Sequence, residues 1–208
     1  MLISIIQNTE TFINPRVELE QYCIDAESAV DIIYFAGFEF NDIKKNIIFD
    51  LGSGTGRLSI ASAFMKAKII ISIDIDWNAL QILKRNIKSL DLEHIINPIC
   101  ADMNNFEIVK CLLTYNTKIT TLMNPPFGVQ KKTADRIFLE KAFSFSDVVY
   151  SIHLANDKIH RFISKYVKKF NWIIDFVFPL KLKLEKTFQF HTKKVKMIDV
   201  NIYRFIKK

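Results

Sequence analysis

Glycine and proline are scarce, five of each in 208 residues. That excludes collagen-like and low-complexity architectures and makes the position of each glycine informative. Long apolar runs are also missing. The longest, such as Ile69-Ile-Ile-Ser-Ile73, fall far short of the roughly 20 residues that span a bilayer. No basic residues precede the apolar start Met1-Leu-Ile-Ser-Ile-Ile6, and Gln7-Asn8-Thr9-Glu10 ends it at once, unlike a signal peptide. A cytoplasmic protein without a membrane partner is expected. Cysteine is limited to Cys23, Cys100 and Cys111, with no Cys-x-x-Cys spacing. This argues against a disulfide framework or an internal zinc site. His94, His153, His160 and His191 show no His-Glu-x-x-His pattern, so no metal is expected.

What is present suits one globular domain. Half the residues are apolar, a quarter are charged, and 18 are Phe, enough to fill a large core. The net charge of +7 is concentrated at the end, where residues 181–208 carry nine Lys/Arg against two acids. A localised basic surface points to a polyanionic partner, nucleic acid first. A solvated, lysine-rich pair of strands is the plainer alternative.

The hydrophobic pattern alternates strands with helices. Strands are expected at 46–51, 67–73, 95–100, 118–123 and 147–152, and helices at 57–66, 77–90, 134–145 and 156–170. In the second of these helices Leu80, Leu83, Ile87 and Leu90 recur at amphipathic spacing. Two strands close the chain, 172–179 and about 197–206. This is the pattern of a doubly wound, mostly parallel α/β sheet with a C-terminal antiparallel hairpin. Residues from Asn14-Pro15 to about 36 suggest a helical extension ahead of the sheet, with no strand of its own.

Asp50-Leu-Gly-Ser-Gly-Thr-Gly56 follows the first strand and opens a helix. Glycines there let the chain turn tightly and present backbone amides to a ligand at a helix N-terminus. The acid ending the second strand, Asp74, comes about 20 residues later and suits the two hydroxyls of a ribose. A dinucleotide loop would read Gly-x-Gly-x-x-Gly, but position 57 is Arg and the third glycine comes one residue early. Asp50 also suits a ligand bearing an ammonium group, so the loop points to S-adenosylmethionine (AdoMet). Asp102, after the third strand, is placed either to accept from an adenine amino group or to cap a turn.

The fourth strand ends in Asn124-Pro-Pro-Phe127. The Asn124 amide oxygen and the Pro125 carbonyl can accept both N–H bonds of a planar amine and turn its lone pair toward a methyl donor. Pro125 and Pro126 stiffen the loop, and Phe127 offers a stacking face. No base is needed before transfer, because the amine can lose its proton afterwards.

With these motifs in order, the chain resembles the methyltransferase-like protein 5 family, whose members are small-subunit ribosomal RNA adenine-N6 methyltransferases. Further likeness lies in Leu19-Glu-Gln-Tyr22, Lys131-Lys-Thr-Ala-Asp-Arg136, Val149-Tyr-Ser-Ile-His153, Phe190-His191 and Asp199-Val-Asn-Ile-Tyr-Arg-Phe205. The resemblance implies a class I, Rossmann-like methyltransferase with a seven-stranded sheet, residues 1–40 forming an extension and lid and 41–208 the catalytic core. It implies cofactor contacts from Gln21, Tyr22, Asp50, Gly52, Gly54, Thr55, Gly56, Arg57, Asp74, Asp102 and Asn124, with Thr55 and Arg57 acting largely through backbone atoms. Ile24 stands where the family commonly has Thr, which leaves a backbone contact there. Lys131, Lys132, Arg136, Lys193 and Lys194 are expected to contact RNA phosphates. His153, His160 and His191 are read as structural or RNA-facing. The resemblance also implies a small zinc-ribbon activator added to a sheet edge, for which the strand Ile69–Ile73 is a candidate, though it would serve equally as core. A glutamine side chain of a translation factor presents the same N–H geometry as adenine, so glutamine N5 methylation stays open as the alternative.

Overall fold

The computed structural model describes residues 1–108, 117–128, 134–185 and 195–208. Seven strands form one sheet: β1 (Ile47–Leu51), β2 (Ile69–Asp74), β3 (Ile96–Cys100), β4 (Ile119–Met123), β5 (Val148–Leu154), β6 (Trp172–Glu185) and β7 (Val195–Lys207). Their order is β3-β2-β1-β4-β5-β7-β6. All pairs from β3 to β5 are parallel, and β7 runs antiparallel to both β5 and β6. The class I methyltransferase fold expected from the sequence is therefore present, C-terminal hairpin included.

Every residue of β1 and β4 is buried, the near-continuous apolar pattern of central parallel strands covered on both faces. Alternate side chains serve two cores. Ile48, Ile70, Leu122 and Tyr150 pack under α1 (Leu2–Gln7), α2 (Ala26–Tyr34), α3 (Arg57–Phe64) and α4 (Trp77–Ser89). Ile47, Phe49, Leu51, Met123 and Val149 pack on the other face against α5 (Ala134–Phe145) and α6 (Asp157–Tyr166). Asp25, Asp76 and Asn156 cap α2, α4 and α6 by accepting from Ser28, Asn78 and Lys158 N–H.

Three features differ from the sequence reading. The N-terminal extension is helical only in α1, a 3-10 turn at Val17–Leu19, and α2 with the π turn Phe35–Glu39 that follows it. Ile69–Ile73 is not an edge, because β3 pairs outside β2 and completes its hydrogen bonding. The hairpin is longer than expected, running from Trp172↔Lys207 to Glu185↔Val195.

Candidate active site

The carboxyl ends of β1, β2, β3 and β4 lead to the glycine loop, Asp74, Asp102 and Asn124 respectively. Strand order changes direction between β1 and β4, and open α/β sheets hold ligands in the crevice at such a switch point. A cavity of about 320 Å³ lies there. Its wall includes Gln21, Tyr22, Ile24, Asp50, Gly52, Gly54, Thr55, Gly56, Arg57, Asp74, Asp102 and Asn124 to Phe127, so it brings together every residue expected to hold cofactor or target amine.

The glycine loop is fixed by backbone bonds. Gly52 and Ser53 N–H donate to Ile73 O at 2.8 and 3.0 Å, and Gly54 N–H donates to Asp74 Oδ2 at 2.8 Å. Gly54 and Gly56 have φ of +52° and +92°, and a Cβ would meet the Phe12 ring at 2.9 Å and Leu83 Cδ1 at 2.1 Å respectively. Both positions thus require glycine for conformation and for space. Asp50 points into the sheet's helical face, where its Oδ2 accepts from Ser59 N–H at 3.1 Å and Ser59 Oγ at 2.5 Å. Burial pushes its carboxyl up to about 7, against the pull of these bonds. Asp74 also accepts from Asp76 N–H at 2.8 Å, and burial raises its carboxyl above the ordinary range. Asp102 Oδ1 holds the turn at Asn104 through its N–H and Nδ2.

The N-terminal segment closes one side. Gln21 Oε1 accepts from Arg16 N–H at 2.7 Å, and its Nε2 donates to Asp76 Oδ2 at 2.7 Å. Arg57 Nη1 donates to Ile24 O at 2.7 Å. The Ile24 carbonyl is thus tied to the start of α3. The Asn86 amide, on α4, is paired with both backbone groups of Glu10 at 2.8 and 3.0 Å and donates to Thr55 O at 3.1 Å. One side chain thus ties the segment to the loop.

Among the described residues, only three buried side-chain polar atoms lack a hydrogen-bond partner: Ser53 Oγ, Arg57 Nε and Asn124 Oδ1. All three residues line this cavity. Buried polar atoms are nearly always paired, so three unpaired ones on residues of one cavity mark it as a place where a polar ligand fits. The lining fits AdoMet: the glycine loop leaves room for it, Asp74 suits its ribose, and Asp102 its adenine.

The comparisons with known proteins agree. Residues 40–174 match the model of the TRM5/TYW2 methyltransferase domain. The chain belongs to that family, in its METTL5-like branch. The rRNA N(6)-adenosine-methyltransferase METTL5 of Danio rerio is 31% identical over 98% of this chain and 96% of its own. An uncharacterised protein of Methanocaldococcus jannaschii is 39% identical over 93% of this chain and 87% of its own. The crystal structure of PH1948 from Pyrococcus horikoshii is 34% identical, with a TM-score of 0.85 over 99% of this chain and 97% of that one. This METTL5-like chain is thus an AdoMet-dependent methyltransferase.

Some expectations lie elsewhere. Lys131, Lys132, Lys193, Lys194, Cys111 and His191 fall outside the described residues. Arg136 lies over the Phe162 ring at 4.5 Å. His153 is buried beside Ser151 Oγ at 2.7 Å, and burial lowers its imidazole to about 3. It is neutral and belongs to the interior. Sequence reasoning missed Ser53, Phe12 and Asn86. Ser53 occupies a variable place between two glycines. Asn86 left one signal, an amide beside Leu83 and Ile87 on the apolar stripe of α4.

Proposed function

We propose that this chain transfers the methyl group of AdoMet to N6 of an adenosine in small-subunit ribosomal RNA. The observation that carries this is Asn124, which lines the cavity that would hold the cofactor at the carboxyl end of the central strand β4 and whose Oδ1 has no hydrogen-bond partner. When bound, AdoMet supplies a methyl group on an electrophilic sulfonium. The protein's task is to orient the amine. Asn124 Oδ1 accepts one N6–H and Pro125 O the other, which turns the lone pair toward the methyl group. Pro125 is buried in the short run before Gly128, whose φ of +78° turns the chain after Phe127. Acceptors held this way need no reorganisation as the reaction proceeds. The flipped base stacks on Phe127.

The relatives named rRNA N(6)-adenosine-methyltransferases in Danio rerio and Drosophila melanogaster support RNA as the target class. The remaining parts of the reading rest on the family resemblance: residues 1–40 act as lid, and a zinc-ribbon activator joins the enzyme. For that activator, the edge strand β3 and the neighbouring exposed Ile75, Trp77 and Ile99 are the suitable surface.

Tritiated methyl transfer to small-subunit rRNA, with and without the activator and followed by nucleoside analysis, tests the proposal. N6-methyladenosine is expected with the wild type. Asn124→Ala should lower kcat by at least about a hundredfold while AdoMet affinity changes little. Label in a translation factor with RNA unlabelled would replace this reading by glutamine methylation.

A further inference from the structure

Phe127 stands in the wall of two cavities. One is the site above; the other, of about 200 Å³, lies between the first turns of α5 and α6 and the end of β5. We propose that this second cavity holds the base of the nucleotide next to the target adenosine, and that it favours a base bearing an exocyclic amino group. The inference rests on the RNA reading and adds a subsite to it.

The chemistry of the wall supports a nucleotide. Phe127, Ile159 and Phe162 give it an aromatic and aliphatic lining. Among the described residues of its wall, Asp135 is the one carboxylate and Lys158 the one cationic side chain. A carboxylate accepts from an amino group and rejects a carbonyl in the same place. The buried His153 ring has its Nδ1 3.9 Å from Asp135; burial raises the Asp135 carboxyl, and the neighbouring Arg136 charge pulls it back toward the ionised form, an acceptor. Stacking platforms with cations alongside are how single-stranded nucleic acid is held.

Charge complementarity continues outward. Lys158 is exposed at the rim, and Arg161 and Lys165 follow it at helical spacing on α6, also exposed. Exposed Lys168 and Lys169 extend the row through the 3-10 turn Val167–Phe170. Asp157 is the single acid from 157 to 170. A strand whose target base enters the first cavity has its next base one residue's width away, across Phe127, and its phosphates along α6. The spread of this surface was hidden in the sequence, where these cations are interrupted by the core residues Ile163, Tyr166 and Val167.

The test uses an oligoribonucleotide carrying the adenosine that the wild type methylates, with an abasic residue placed on its 5′ or its 3′ side. Wild type should lose about tenfold or more in kcat/KM for one of the two substitutions. Ile159→Trp, which fills the cavity, should bring the intact RNA down to that level, and the same abasic residue should then make no further difference. Asp135→Asn should bring an amino-bearing base and uracil at that neighbour to within about twofold of each other. AdoMet affinity, measured by calorimetry on both variants, should match wild type and shows that they fold. Wild-type rates within twofold for both abasic RNAs would overturn the subsite. So would an Ile159→Trp enzyme that keeps the full abasic loss, or an Asp135→Asn enzyme that keeps the full base preference. A wild type that methylates no RNA overturns the underlying RNA reading and the subsite with it.

Discussion

Asn86 illustrates how one polar side chain can hold a site it does not touch. It lies on the buried face of α4 and satisfies three backbone groups, two on Glu10 and one on Thr55. Thr55 belongs to the glycine loop, and Glu10 leads to Phe12, whose ring packs where a side chain at Gly54 would be. Asn86→Ala would leave the buried Thr55 carbonyl without this partner and release the more exposed backbone of Glu10, at a cost of about 1–3 kcal/mol. Its AdoMet affinity is expected to fall by tenfold or more, because the loop and the wall opposite it lose their common tether. Thermal unfolding gives the first number and calorimetry the second; a stable variant with unchanged affinity would show that the tether does not shape the site. At this scale the sequence was most legible where one residue type does one local job. The glycines, Asp74 and Asn124 could be named because tight turns, ribose and amine each demand particular groups. Ser53 and Asn86 could not, since their value depends on neighbours supplied by the fold.

Elements were legible in the sheet and less so at its margins. β1 to β5 announce themselves by apolar runs at the right intervals. β6 was expected to stop at Pro179, yet it continues to Glu185, pairing Pro179 with Asn201. The reason is position: β6 is the outermost strand, and a proline is tolerated on an edge because its missing N–H need not face a neighbour. In the irregular stretch from 8 to 25, side chains of Asn86, Gln21 and Arg57 satisfy the backbone of Glu10, Arg16 and Ile24. Asp25 joins the two margins. It caps α2 through Ser28 N–H at 3.0 Å and accepts from Lys183 N–H on the open edge of β6 at 2.9 Å. Asp25→Ala should cost about 1–2 kcal/mol. Asp25→Ser should retain most of the cap but is too short to reach β6. Amide exchange separates the roles: Lys183 should exchange faster in both variants, while the amides of α2 should do so only with Ala. Equal protection of Lys183 in wild type and Ala variant would remove Asp25 from the hairpin's support.

At the scale of the whole molecule, the sheet is fastened at the end opposite the site by one buried carboxylate. Asp42 is fully buried just ahead of β1. Its oxygens receive Lys118 Nζ from the approach to β4, Tyr150 Oη from β5 at 2.6 Å, and Arg204 Nε from β7 at 2.8 Å. Its carbonyl accepts from Thr120 Oγ1 at 2.6 Å. Arg204 reaches further, to Asp175, the unpaired residue of the bulge in β6, and its guanidinium lies over the Phe40 ring at 4.1 Å. The cluster therefore adds to the β5–β7 ladder in linking the parallel half of the sheet to the antiparallel hairpin. Burial and the adjacent Asp42 charge raise the Tyr150 phenol above its ordinary range, so it remains a donor throughout the working pH range. Removing one member of a buried ionic group leaves the others charged without compensation, which outweighs any one hydrogen bond. Asp42→Asn is expected to cost about 3–5 kcal/mol, and Tyr150→Phe about 1 kcal/mol. AdoMet affinity in the folded fraction should stay within about twofold for both, because the cluster lies at the amino ends of strands whose carboxyl ends make the site. Urea unfolding followed by calorimetry on folded protein measures each term. A Tyr150→Phe loss equal to that of Asp42→Asn would mean that the phenol, rather than the charge it serves, joins the two halves.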